Sequence, residues 1–238
     1  LKSVYVTNQP IDFLISLSVR LTGVLSYASH KKRLSLRSTF KVSATMATIL
    51  QISFLVLASV LAVSAQCPVV IPRSGWNARE ARFVPVLPIR PAPFVIVHPT
   101  GTASCTLQAE CSEIIRNIQD FQMQANGWPD ISYHFLIGGD NRIYQGRGWG
   151  REGVNVGQYS NQAINVGFIG SFQQNRPSAE ALELLESLIG CGVGARALDQ
   201  DVNVFAQCQA TIMVGCSATT IFDWISEHPL FISNPHPV

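Results

Sequence analysis

Downstream of residue 93, the hydrophobic pattern switches repeatedly between the periods of strand and helix. Phe94-Val95-Ile96-Val97 is a short continuous apolar run, as expected of a strand buried on both faces. From 109 to 126, Ile114, Ile115, Ile118, Phe121 and Ala125 recur at helical spacing, and Asn126-Gly127 supplies the stop. Ser132 to Ile137 is rich in strand formers and is closed by Gly138-Gly139-Asp140-Asn141; Arg142-Ile143-Tyr144 follows, so the pair predicts a hairpin. Ile164 to Ile169 predicts another strand. A second helix is expected from Pro177-Ser178, with Ser178 as cap and an apolar stripe of Ala181, Leu182, Leu185, Leu188 and Ile189, ended by Gly190 and Gly192. Val202 to Ala206 reads as a strand. Ile221, Phe222 and Ile225 place a last helix before Pro229. Strands alternating with helices predict one α/β domain from about 67 to 231. The segment 81–93, with four prolines, reads as extended surface chain.

The N-terminal part has a different character. The first methionine is Met46, and Ile49 to Val63 form an apolar run followed by the small residues Ser64 and Ala65. This pattern predicts a signal peptide over 46–65 with cleavage after Ala65, a secreted mature domain over 66–238, and a leader over 1–45 that takes no part in the fold. The run is short for a bilayer span, so no membrane anchor is expected. All four lysines lie before residue 45; after residue 65 there are 10 arginines and 14 acidic residues, a sum of −4. A nucleic-acid partner is therefore not expected of the folded part. Hydrophobic residues make up 47% of the chain, which excludes a disordered protein and supplies a sizeable core.

All six cysteines (Cys67, Cys105, Cys111, Cys191, Cys208 and Cys216) follow the expected cleavage site. An even count in a secreted chain reads as disulfides, although six cysteines allow about 15 pairings. The mature segment holds no Asn-X-Ser/Thr sequon, so N-glycosylation is not expected.

Several blocks, in order and spacing, resemble the peptidoglycan recognition protein domain, closest to its short secreted insect type. They include Arg73-Ser-Gly-Trp76, Val95-Ile-Val-His98, Cys105 to Cys111, Asn117 to Phe121 and Ile131-Ser-Tyr-His-Phe-Leu-Ile-Gly-Gly139. Further matches are Ile143-Tyr-Gln-Gly-Arg-Gly-Trp149, Gly167-Phe-Ile-Gly-Ser-Phe172 and Leu188-Ile-Gly-Cys-Gly-Val193. The resemblance covers essentially the whole mature segment. It implies a single α/β domain with a central mixed sheet, flanking helices and a groove for the muramyl peptide. It also implies the pairings Cys105–Cys111 and Cys67–Cys191, which leaves Cys208 and Cys216.

Catalytic members of that family hold one zinc ion with two histidines and a cysteine, and a zinc-bound water cleaves the amide between lactyl group and L-alanine. His98 matches the first histidine and Tyr133 the assisting tyrosine. Aligned back from Pro229, Cys216 takes the zinc-cysteine position and Cys208 the second histidine position; a shift of one residue puts Gln207 there instead. Val214 replaces the assisting Thr or Lys, and Ser217-Ala218 replace Pro-Gly. Two readings follow. His98, Cys208 and Cys216 bind zinc, or Cys208 and Cys216 form a disulfide and no metal is held; the oxidising exterior favours the second.

The ligand-binding residues expected from the resemblance are His98, Tyr133, Arg147, Trp149, Asn155 and Tyr159. His134, on the opposite side of the strand from Tyr133, is expected to be structural, and His228 to sit in the terminal turn. The leading reading is a secreted, extracellular recognition protein of a haemolymph-like fluid that binds bacterial peptidoglycan and triggers innate immune signalling. It has no catalytic residues and no cofactor, and its partners would be a glucan-binding protein or a serine protease zymogen. The alternative is a zinc-dependent N-acetylmuramoyl-L-alanine amidase; a third is a secreted structural or inhibitor-like domain.

Overall fold

A computed structural model describes residues 67–154, 156–210 and 220–236. The expected leader and signal peptide lie outside the described residues, as do Asn155, Val214, Cys216 and Ser217-Ala218.

Among the described residues, six strands form one mixed sheet: β1 (Val70–Ile71), β2 (Ala92–Pro99), β3 (Phe135–Ile137), β4 (Ile143–Gln145), β5 (Ala163–Phe168) and β6 (Leu198–Ala206). Their order is β1-β4-β3-β5-β2-β6. Of the pairings between these six strands, the β3–β4 hairpin is antiparallel and the others are parallel. The strand expected over Ser132–Ile137 starts at Phe135, and the residues before it are tied in by the His134 amide donating to the Asn165 carbonyl at 2.8 Å.

Two-residue alternation sorts the side chains of β2. Val95 and Val97 face α2 (Ala179–Gly194), packing with Leu185, Leu188 and Ile189 in the largest core cluster, which also takes in Ile221 and Ile225 of α4 (Thr220–Ser226). Phe94 and Ile96 face the other side, against Tyr159 and Phe205. His98 shares their parity. Beside that second cluster lies α1 (Gln108–Gln124), which packs Cys111 and Ile115 over Ile131, Leu136 and Tyr144. Burying a side chain such as Ile115, fully inaccessible here, stabilises by about 2 kcal/mol.

Both helix starts are capped by side chains. The Ser178 hydroxyl accepts from the Ala181 amide at 3.1 Å, and the Glu110 carboxylate accepts from the amides of Leu107 and Thr106 at 3.2 and 3.0 Å. α1 stops before Gly127, whose φ of 68° is a left-handed value that an unbranched backbone takes without strain. Gly190 and Gly192 do not end α2, which continues to Gly194. Gly192 is instead a contact point: a Cβ there would lie 2.7 Å from both Leu198 and Trp149. The helix keeps going because the close approach compensates for the poor helix propensity of glycine.

Two disulfides join pairs of described residues, Cys67–Cys191, which ties the N-terminal segment to α2, and Cys105–Cys111, which closes a short loop at the start of α1. No helix among the described residues is long and apolar enough to cross a membrane.

Candidate functional site

A groove of about 800 Å³ opens along α1. One wall is apolar and comes from the helix: Ile114, Ile118 and Phe121, the last 64% exposed. The sequence pattern puts these three, with Ile115 and Ala125, in the core-facing stripe; Ile115 is buried and Ile114 and Ile118 pack half-buried against the same cluster, but Phe121 is exposed, and the buried face is filled out by Cys111, Ser112, Gln119, Gln122 and Met123. Polar residues can occupy that face because each finds a partner. Gln119 Nε2 donates to Asp130 Oδ1 at 2.7 Å, and Gln122 Nε2 donates to the Ser132 hydroxyl at 2.9 Å while its Oε1 accepts from the Ser132 amide at 2.7 Å. The helix is thereby rolled so that three large apolar side chains face the groove. Trp128, just past the helix stop, extends this wall.

The far side is polar. Pro99 and Thr100 at the end of β2, Tyr133, and Gln207 at the start of α3 (Gln207–Ala210) line it. Tyr133 stands edge-on to His98, with ring centroids 5.4 Å apart and planes at 89°. Its ring fits because β5 carries Gly167 alongside: a Cβ there would lie 2.8 Å from the tyrosine ring. Burial raises the Tyr133 phenol to about 12.

His98 lies beneath the lining, 2% exposed. Desolvation lowers its pKa from 6.5 to about 4, with Gln207 and Asn165 beside the ring partly opposing the shift, so the imidazole is neutral at pH 7. Among the described residues neither its Nε2 nor the buried Asn165 Oδ1 has a partner in good hydrogen-bond geometry. Behind it, His134 is fully buried and neutral: Nδ1 accepts from the Asn165 amide at 2.8 Å, so Nε2 carries the proton and donates to the Arg151 carbonyl at 2.8 Å. Burial pushes the His134 pKa down to about 3.

Position 207, not 208, faces His98. Val97 pairs with Ala206 across β2 and β6, and Ala206 belongs to the α2-side core. The next residue, Gln207, falls on the groove side; Cys208 returns to pack against the α2-side core, and its sulfur is disulfide-bonded. Position 216, the cysteine expected as its partner or as a zinc ligand, lies outside the described residues. The unpaired His98 Nε2 would suit a metal, but its described polar neighbours are the carboxamides of Gln207 and Asn165, and protein zinc sites are built from thiolate, imidazole and carboxylate donors. A thiolate from Cys208 is precluded by its disulfide. The donor set described around His98 therefore does not fit a zinc ion.

Of the six expected ligand-binding residues, the structure brings His98 and Tyr133 together at the groove. Arg147 lines a separate cavity, its guanidinium spent on the carbonyls of Ile131 at 2.6 Å, of Asp130 at 3.4 Å and of Glu152. Trp149 packs tilted against Phe135, ring centroids 4.5 Å apart, and meets Gly192. Tyr159, 2% exposed, packs edge-on against Phe94 and Phe205 and donates its hydroxyl to the Pro235 carbonyl at 2.8 Å. Asn155 is outside the described residues. His228, 7% exposed, sits in the turn after α4 with Nε2 2.5 Å from Glu186 Oε1. The apolar wall of Ile114, Ile118 and Phe121 escaped sequence reasoning as a site; the one signal for it was the pair of glutamines, Gln119 and Gln122, that replaces apolar residues on the buried face.

The family described as N-acetylmuramoyl-L-alanine amidase matches residues 88–220. The peptidoglycan recognition protein of Bombyx mori is 38% identical over 181 residues, covering 76% of this chain and 91% of that protein. The X-ray structure of bumblebee PGRP-SA, 37% identical, superposes with a TM-score of 0.67 over 71% of this chain and all of that one (100%). Peptidoglycan recognition protein-LE, solved in complex with tracheal cytotoxin (monomeric diaminopimelic acid-type peptidoglycan), is 31% identical with a TM-score of 0.65, covering 68% and 95% of the two chains. With sequence and fold matched across nearly the full length of such relatives, the chain belongs to the peptidoglycan recognition protein family.

Proposed function

We propose that this protein is a secreted receptor for bacterial peptidoglycan that seats a muramyl peptide in the groove along α1 and signals its presence rather than hydrolysing it. The observation that carries the non-catalytic reading is Gln207 beside His98, where a hydrolase needs a second metal donor. Without the metal, the attacking water stays near its bulk pKa of about 15.7, and no described residue of the groove supplies a charge to acidify it. Tyr133, raised to about 12, and His98, lowered to about 4, are both neutral at pH 7, which suits hydrogen bonding to a peptide better than proton transfer.

Binding itself needs only the groove. Ile114, Ile118 and Phe121 offer apolar area to the ligand, while Thr100, Tyr133 and Gln207 offer polar contacts on the facing side. The similarity to a protein solved with a peptidoglycan fragment supports this ligand class. The disulfides support an oxidising, extracellular setting. Cleavage after Ala65 and an innate immune signal as the output complete the proposal.

The test is co-sedimentation with insoluble peptidoglycan, coupled to an assay for released stem peptide and to zinc analysis of the protein purified without chelator or reductant. Co-sedimentation without release and with little zinc is expected. Release of stem peptide together with about one zinc per chain would establish the amidase alternative. Failure to sediment would point to a structural or inhibitor-like domain instead.

A further inference from the structure

A second cavity, of about 530 Å³, shares no lining residue with the groove. It lies between the extended segment around Arg82-Phe83-Val84 and the loop after β4, and four arginines line it: Arg73, Arg82, Arg147 and Arg151. The sequence after residue 65 sums to −4, so gathering four of its ten arginines around one cavity runs against the overall charge.

The charges are only partly cancelled locally. Arg147, 7% exposed, spends its donors on backbone carbonyls, which are neutral acceptors. Asp130 is saturated: Arg73 Nη1 and Nη2 donate to its two oxygens at 2.9 and 3.1 Å, and Gln119 occupies it from a third direction at 2.7 Å. Asp130 and Glu152 are the carboxylates acting on Arg147. Four guanidiniums against those two leave an excess of two positive charges. At the mouth, the exposed Arg82 makes no side-chain hydrogen bond or ion pair among the described residues, and Arg151 uses one nitrogen, Nη1, on the Val84 carbonyl at 3.1 Å. Both keep fork donors of the kind that grip oxyanions in pairs.

The frame is fixed. The Arg82 amide donates to the Pro129 carbonyl and the Glu152 amide to the Pro85 carbonyl, both at 2.9 Å, and Val86 bridges Arg151. Phe83, 85% exposed, and the half-buried Trp149 supply apolar surface at the same cavity. We propose that this cavity is a second binding site, taking an oxyanion (a phosphate or carboxylate group) carried on a partly apolar body. The charged group would be held between Arg82 and Arg151 over the fixed charge of Arg147, with Phe83 against the body of the ligand.

The experiment is a calorimetric titration of the purified full chain with phenyl phosphate, with benzyl alcohol as the neutral counterpart. Saturable binding of phenyl phosphate is expected, weakened by about tenfold or more in the R82A/R151A double variant. Binding should be unchanged in F121A, which alters only the groove. Absence of saturable binding, equal binding of benzyl alcohol, undiminished binding in the double variant, or a loss in F121A matching that in the double variant would each overturn the proposal. Thermal melts check that the double variant folds; if it does not, R82A alone carries the test, since that side chain holds nothing else in place.

Discussion

Gln207 stands beside His98 because Ala206, the residue before it, pairs with Val97, the residue before His98. Register alone thus places a carboxamide next to the buried imidazole and turns Cys208 into the core on the opposite side of the sheet. From that relationship we expect protein dialysed against zinc, then washed without chelator, to retain far less than one equivalent. Atomic absorption checks this directly, and a stoichiometric value would require donors that the described site does not contain.

The apolar wall predicts a separation of binding from stability. Phe121 is 64% exposed, so Phe121→Ala should change unfolding free energy by no more than about 0.5 kcal/mol. Peptidoglycan affinity should fall by more than about 1 kcal/mol, roughly fivefold or greater, if the ring is a main contact. Urea unfolding and co-sedimentation on the same preparation separate the two. Equal affinity in the variant would move the ligand off this wall.

Much of the fold follows from local signals in the sequence. The hairpin was marked by Gly138 to Asn141, the cap of α2 by Ser178, and the end of α1 by Gly127, because turns and caps are set by residues close in sequence. The site was less legible. Phe121 looks like a core residue until Gln119 and Gln122 are seen to be satisfied by Asp130 and Ser132, and those partners are about ten residues away. Arg147 and Tyr159 look like groove residues by type. Arg147 is drawn inward by three carbonyls and Tyr159 by Phe94, Phe205 and the Pro235 carbonyl, contacts that exist only after the chain has folded. The choice between Gln207 and Cys208 turned on strand register, which one-residue alignment shifts leave open.

Gly167 predicts a packing effect at the groove. Gly167→Ala places a methyl 2.8 Å from the Tyr133 ring, inside van der Waals contact, within a strand paired on both sides. The cost of such overpacking is about 1–3 kcal/mol, and the ring must swing out of its edge-on contact with His98. Chemical denaturation should show the loss, and peptidoglycan binding should weaken beyond what the remaining folded fraction accounts for. Unchanged stability would mean that the ring has room to move.

The two buried histidines predict an acid dependence with a definite sign. His98 falls from 6.5 to about 4 and His134 to about 3, so in the folded protein both stay neutral where the unfolded chain binds protons. Stability is therefore full above about pH 6.5 and declines as the pH falls towards 4, and then towards 3. With both histidines of the unfolded chain protonated, the slope approaches about 3 kcal/mol per pH unit. Urea midpoints between pH 7 and 5, above the range where carboxylates dominate, check this. A midpoint that does not fall across that window would mean that neither ring stays neutral in the folded state.

The disulfides predict unequal losses. Cys67–Cys191 spans 124 residues and Cys105–Cys111 spans 6. Constraint of the unfolded chain grows with loop length, giving about 5 kcal/mol for the long link and about 2 kcal/mol for the short one in the chain-entropy treatment. Cys67→Ala/Cys191→Ala should accordingly lower the melting temperature more than Cys105→Ala/Cys111→Ala. The short link has a second role that the entropy does not measure. Cys111 is fully buried at the start of α1, and a Cβ on Gly138 would sit 2.8 Å from its sulfur, so this disulfide packs the first turn of the helix onto the β3–β4 hairpin. Ile114 and Ile118 follow on that helix and face the groove. The short-link variant should therefore lose peptidoglycan affinity at temperatures where it remains folded, while the long-link variant should keep its affinity until it melts. Circular dichroism paired with co-sedimentation at stepped temperatures distinguishes the two, and parallel loss of fold and binding in both variants would remove the link between the short disulfide and the groove wall.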